Sequence, residues 1–115
     1  MLKPTAIAFL KRLLDTPGPS GYEAAAAKVW RDEAETFAAE VSADVHGNSM
    51  AVVNPGGSPT VMLAGHIDEI GVIVTYIDDD GYVYIAPIGG WDPQVLVAQR
   101  IRFLGYAQIA NAADS

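Results

Sequence analysis

His66 stands two residues before Asp68, in the run Gly65-His66-Ile67-Asp68-Glu69-Ile70-Gly71. Side chains at i and i+2 of an extended chain project to the same side. An imidazole and a carboxylate so placed can contact each other directly or bind one ion together. A metal-bound histidine needs its other ring N–H held, most often by a carboxylate, which fixes the tautomer. A His-x-Asp step can supply both members. Glu69 adds negative charge, and Gly65 lets the backbone turn sharply before the pair. Taken alone, the triplet equally fits a structural histidine beside a surface aspartate, so its place in the chain matters. There is no cysteine, which excludes disulfides and thiolate sites and leaves His, Asp and Glu as metal donors.

The elements that must position this pair come in two textures. Residues Thr5 to Asp15 carry Ile7, Leu10, Leu13 and Leu14 at helical spacing, which predicts a helix with one buried face. Thr16-Pro17-Gly18-Pro19 ends it. Ser20 and Glu23 have the spacing of a capping box ahead of an alanine-rich run, predicting a second helix over about 21–37 with Ala26, Val29, Trp30 and Phe37 on its apolar face. Val41, Ala43 and Val45 then alternate with polar residues, His46-Gly47-Asn48 reads as a turn, and Met50 to Val53 as a returning strand. After the loop Asn54 to Pro59, Thr60-Val61-Met62-Leu63-Ala64 is a continuous apolar run, the mark of a strand buried on both faces. Such a strand would deliver His66 to its C-terminal end, where ligands of α/β sheets bind.

From Gly71 the chain turns to β-branched and aromatic residues. Val72 to Ile77 and Tyr82 to Ile85 predict a hairpin around Asp78-Asp79-Asp80-Gly81. Ile88 to Pro93 reads as a loop and Arg100 to Leu104 as a third strand. These textures put two helices and a mixed sheet in residues 1–69 and an all-β segment in residues 70–105, with a tail over 106–115 that has no apolar period.

Other polar residues take plainer readings. His46 is a surface turn residue. The three aspartates lack the alternating ligands and closing glutamate of a calcium loop and form a solvated hairpin tip. Gly89-Gly90 is followed by neither the lysine nor the helix start of a phosphate cradle. Ser20 and Ser49 have no His–Asp pattern that would make either a nucleophile. Trp30 reads as helix core, and Trp91, Tyr82 and Tyr84 as packing residues of the β segment.

The 115 residues are half apolar, with seven prolines and eleven glycines, as in a globular chain. The formal charge of −7 argues against sequence-independent nucleic-acid binding, which depends on clustered Lys and Arg, and against attraction to anionic lipid. No apolar run approaches the ~20 residues of a membrane span. The basic-then-apolar layout of a secretory signal is absent, so a cytoplasmic protein is expected.

Four segments occur in one order: Pro19-Ser20-Gly21-Tyr22-Glu23, Asp44-Val45-His46-Gly47-Asn48, Ala64-Gly65-His66-Ile67-Asp68-Glu69-Ile70-Gly71 and Ile88-Gly89-Gly90-Trp91-Asp92. Together they resemble the N-terminal portion of the tetrahedral and glutamyl aminopeptidases, two-metal exopeptidases some of which bear the label endoglucanase. The resemblance covers roughly residues 3 to 105. It implies an α/β fold in which residues 1–69 open the catalytic domain and residues 70–105 begin an inserted β domain used in dimer formation. It implies that His66 is the first metal-binding histidine and that Asp68 holds this histidine without being a ligand itself. It further implies a divalent metal, Zn or Co, that activates water to remove N-terminal amino acids from peptides.

The same resemblance implies further ligands and a general base that this sequence does not contain. One histidine and one aspartate fall short of the three or four protein ligands of zinc sites. The expectation is therefore a truncated relative, inactive alone and forming homo-oligomers through uncovered apolar surface. The alternative is a non-catalytic oligomerising or interaction module. A third reading is a minimal hydrolase that builds its site from His66, Asp68 and Glu69 of two copies.

Overall fold

The computed structural model describes residues 2–105. Helix α1 (Pro4–Asp15) starts with proline at its first turn, where the missing N–H costs nothing. It ends where the Thr16 N–H donates to the Leu13 carbonyl and the Thr16 hydroxyl to the Arg12 carbonyl (2.7 Å), just ahead of Pro17. The helix is where the spacing predicts it, but its apolar stripe is not buried: Ile7 and Leu10 are exposed and Leu13 is half-buried. Helix α2 (Ala24–Ala34) is shorter than the predicted 21–37, and Phe37 lies beyond its end, exposed. The described residues that are fully covered and apolar are Ala26, Ala27 and Ala34, all on α2. An Arg12–Glu33 ion pair (3.0 Å) joins the helices, and Arg31 donates to the Ser49 hydroxyl (3.0 Å), joining α2 to the hairpin that follows.

That hairpin pairs β1 (Glu40–Ala43) with β2 (Ser49–Val52), antiparallel, in the register Glu40↔Val52 to Ala43↔Ser49. Its turn is organised by Asp44. The carboxylate accepts from the His46 and Asn48 backbone N–H groups and from the Asn48 amide, while Gly47 supplies the positive φ of 87°. A second antiparallel hairpin joins β3 (Gly71–Ile77) to β4 (Val83–Ile88), with a register shift between Val74 and Tyr76. Asp78 closes its tip by accepting from the Asp80 and Tyr82 N–H groups. Trp91 closes its base, its indole N–H shared between the carbonyls of Gly71 (3.1 Å) and Ile88 (3.2 Å). One turn of 3-10 helix follows over Pro93–Leu96.

Three expectations are corrected. The mixed sheet predicted within residues 1–69 is a single two-stranded antiparallel sheet, β1–β2, separate from β3–β4, and the parallel pairing among the described residues is the single bridge Pro19↔Glu69. The run Thr60 to Ala64 forms no strand, and Val61, Met62 and Leu63 are 75%, 85% and 93% exposed. A strand needs a neighbour to take its backbone hydrogen bonds, and no described segment flanks this one. Arg100 to Leu104 forms no strand either. The tail over 106–115 lies outside the described residues. The radius of gyration, 17.6 Å, exceeds the ~13 Å of a compact domain of this length, consistent with so few buried side chains. No helix of the described residues is long and apolar enough to cross a membrane.

Candidate functional site

The site forms where two segments far apart in sequence are laced together. The Gly18 carbonyl accepts from the Glu69 N–H (2.9 Å), and the Ser20 N–H donates to the Glu69 carbonyl (3.3 Å). The Glu69 carboxylate reaches back to accept from the Gly18 N–H at 3.0 Å. Gly18 fits because it has no side chain: a Cβ there would sit 3.2 Å from the Ala26 Cβ on α2. The segment Gly18 to Ser20 and the candidate segment His66 to Glu69 are thereby held side by side.

On this platform His66 Nδ1 donates to Asp68 Oδ1 at 2.9 Å, with the Asp68 backbone carbonyl also within reach at 3.1 Å. An ionised carboxylate only accepts, so a hydrogen belongs on Nδ1, and in the neutral ring Nε2 keeps its lone pair. The imidazole is 85% exposed while the Asp68 side chain is about half as exposed, 41%. The carboxylate is thus the seated partner and the ring the presented one. Leu13, Leu14 and Thr16 at the end of α1 form, with His66 to Glu69, a shallow cleft of about 220 Å³.

Asp68 is held on its other oxygen as well. The Ser20 hydroxyl donates to Asp68 Oδ2 at 2.6 Å. The Ser20 hydrogen bond, with the His66 bond second, holds the Asp68 carboxyl below the usual carboxylate range of about 3.8. Ser20 is therefore not the helix cap its spacing predicts. The residue preceding α2 is Glu23, which makes no side-chain cap bond, and its carboxylate accepts instead from the Gly21 N–H (2.6 Å). A serine three residues before a glutamate carries no local sign that its partner is 48 residues away.

His46 and the triple aspartate stay apart from this cluster, in their turns. Among the described residues no group of three or more His, Asp or Glu side chains comes together to hold an ion. His66 fits the part of one ligand, with its tautomer already set, but Asp68 and Glu69 are engaged by Ser20, His66 and Gly18.

A surface imidazole locked by a carboxylate is the arrangement of a metal-binding histidine with its outer partner. Comparison with known proteins gives the family. Residues 47–111 match the M42 glutamyl aminopeptidases, six residues past the point where the sequence resemblance fades. The chain is 43% identical over 95 residues to a lysyl aminopeptidase of Pyrococcus furiosus, covering 82% of this chain and 27% of that one. It is 44% identical over 43 residues to a glutamyl aminopeptidase of Lactococcus lactis, covering 37% and 12%. Its fold is similar to the crystal structure of a TET aminopeptidase from a marine sediment thaumarchaeon, with a TM-score of 0.73 and 33% identity over 79% of this chain and 26% of that one. The chain belongs to the M42 aminopeptidase family and spans about a quarter of the length of the lysyl and TET relatives.

Proposed function

We propose that this chain carries the first metal-binding corner of a metal-dependent aminopeptidase, acting on the N-terminal residues of peptides. The observation that supports this is the 2.9 Å bond from His66 Nδ1 to Asp68, which leaves Nε2 as the donor for a divalent cation. Residues 1–69 belong to the α/β catalytic domain and residues 70–105 to an inserted β domain. When bound, Zn or Co supplies a Lewis acid and an activated water for peptide hydrolysis. The contribution of this chain's residues is narrower. Asp68 sets the imidazole tautomer and orientation, Ser20 and the Gly18–Glu69 lacing seat Asp68, and the end of α1 walls one side of the cleft. A single histidine donor binds an ion weakly, since catalytic zinc sites use about three protein ligands. The 115 residues alone are therefore inactive as a peptidase, and the remaining ligands and the general base come from outside the described residues.

A panel of amino-acid anilides assayed with added Zn or Co, using this chain and His66→Ala, tests the reading. No chromophore release from either protein, with weak metal binding that disappears in His66→Ala, is the expected result. Release that is lost in His66→Ala means the short chain assembles a working site between copies. Metal binding unaffected by His66→Ala removes His66 from the site altogether.

One observation favours a second reading, a non-catalytic module that self-associates. Val61, Met62 and Leu63 form an extended apolar run with its backbone unpaired among the described residues, a surface suited to another chain. The mass of the chain in solution, measured with and without metal, separates the two: a metal-independent oligomer that binds no ion supports the module.

A further inference from the structure

The Ser20 hydroxyl is committed to Asp68, and the reason for that commitment lies in how a carboxylate is oriented. A carboxylate turns about a broad, roughly two-fold torsion. One hydrogen bond from an exposed imidazole does not fix its plane. The Asp68 carboxylate is gripped at both oxygens instead, by His66 Nδ1 on Oδ1 at 2.9 Å and by Ser20 Oγ on Oδ2 at 2.6 Å. The second distance lies in the short range of a hydroxyl donating to a charged oxygen.

The two grips differ in how they are anchored. His66 follows an unpaired stretch and is 85% exposed. Ser20 is half-buried, and its backbone is tied down on both sides: its own N–H donates to the Glu69 carbonyl, and the Tyr22 N–H donates to the Pro19 carbonyl at 2.8 Å. None of these ties uses the Ser20 side chain. The backbone docks the segment, and the hydroxyl is left over to do something else.

We propose that Ser20 is a positioning residue: its hydroxyl fixes the Asp68 carboxylate, so that Asp68 holds His66 with Nε2 presented to a divalent cation. This rests on the reading of His66 as a metal ligand and adds a residue that does not touch the ion. Its effect reaches the metal through two hydrogen bonds in series, Ser20 to Asp68 and Asp68 to His66.

The test reads the His66 tautomer directly, by long-range ¹⁵N–¹H correlation spectra of the metal-free chain. A His46→Gln background leaves a single imidazole to observe. The parent gives mainly the Nδ1–H form. Asp68→Ala leaves Nδ1 only the residue-68 backbone carbonyl at 3.1 Å and shifts the ring toward the Nε2–H form favoured by free imidazole. Ser20→Ala moves the tautomer ratio the same way by about threefold, less than Asp68→Ala does, because Ser20 acts on the ring at one remove. Ser20→Thr, which keeps the hydroxyl, restores the parent ratio. An unchanged ratio in Ser20→Ala beside a shifted one in Asp68→Ala overturns the role of Ser20 and leaves that of Asp68 standing. An unchanged ratio in Asp68→Ala overturns both. Should Ser20→Ala disorder the 18–20 segment, Ser20→Cys decides: its weaker donor gives an intermediate ratio, and a ratio equal to the parent's overturns the proposal.

Discussion

Gly18→Ala puts two opposing effects on one methyl group. The added Cβ would lie 3.2 Å from the Ala26 Cβ and 3.7 Å from the Ile67 carbonyl oxygen. Ala26 is 2% exposed and its Cβ is fixed to the α2 backbone, so it cannot swing aside. Overpacking of this kind costs about 1–3 kcal/mol. Against it, alanine restricts the unfolded chain and returns roughly 0.4–1 kcal/mol. The overpacking wins, by about 1 kcal/mol, a roughly fivefold rise in the open population of the lacing. Amide hydrogen exchange at Glu69, whose N–H donates to the Gly18 carbonyl, reads that opening locally. A double-mutant cycle separates the cause. Ala26→Gly alone loosens α2 by about 1 kcal/mol through helix propensity. Combined with Gly18→Ala it gives the methyl room, so the two changes together cost less than their sum, by about 1 kcal/mol. Strict additivity, or slower exchange in Gly18→Ala than in the parent, refutes the claim that a tight helix contact selects glycine here.

Three further outcomes follow from the same coordinates. Asp44 is held below its ordinary pKa of 3.8, chiefly by the Asn48 amide. A depressed folded-state pKa means the turn gains full support above 3.8 and loses it as pH falls below that value. The His46 and Asn48 amide shifts should therefore titrate below pH 3.8, and Asp44→Ala should abolish that titration. Gly89 and Gly81 both have positive φ, 81° and 87°, but a Cβ at Gly89 would also meet Ile70 Cγ2 at 3.0 Å while Gly81 faces open space. Alanine should cost about 1–2 kcal/mol at both from backbone strain and visibly more at Gly89, as measured by amide exchange in the β3–β4 hairpin. Leu63→Asp should leave the amide spectrum of both hairpins unchanged, because Leu63 is 93% exposed, while lowering the sedimentation-derived mass if the apolar run joins copies. An unchanged oligomer in Leu63→Asp removes that run from the interface.

What the sequence disclosed divides by the range of the forces involved. Helix α1 and both hairpins rest on local signals, and they stand where periodicity and turn residues put them: the spacing of Ile7, Leu10, Leu13 and Leu14 ahead of Pro17 for α1, Gly47 and Gly81 at the turns. The His66–Asp68 contact was legible for the same reason, being two residues long. Ser20 was misread because a capping box and a tether share one local pattern, and the competing acceptor is brought in by tertiary structure. The run Thr60 to Ala64 has the composition of a buried strand, but composition cannot supply the neighbouring backbone a strand requires. The fine end of α2 fell three residues short of the apolar pattern, at Ala34 and not Phe37.

The tether from Ser20 to Asp68 also sets an order of events in time. Its ends are 48 residues apart, so closing that loop costs about 3.4 kcal/mol of chain entropy beyond a constant, from (3/2)RT ln n. Helix α1, helix α2 and the β1–β2 hairpin close only short loops and can form on microsecond timescales without it. During synthesis, Ser20 leaves the ribosome seconds before Asp68 exists to meet it, at about 5–20 residues per second. The imidazole of His66 is therefore oriented after both helices and the β1–β2 hairpin, and its tautomer reports that later step.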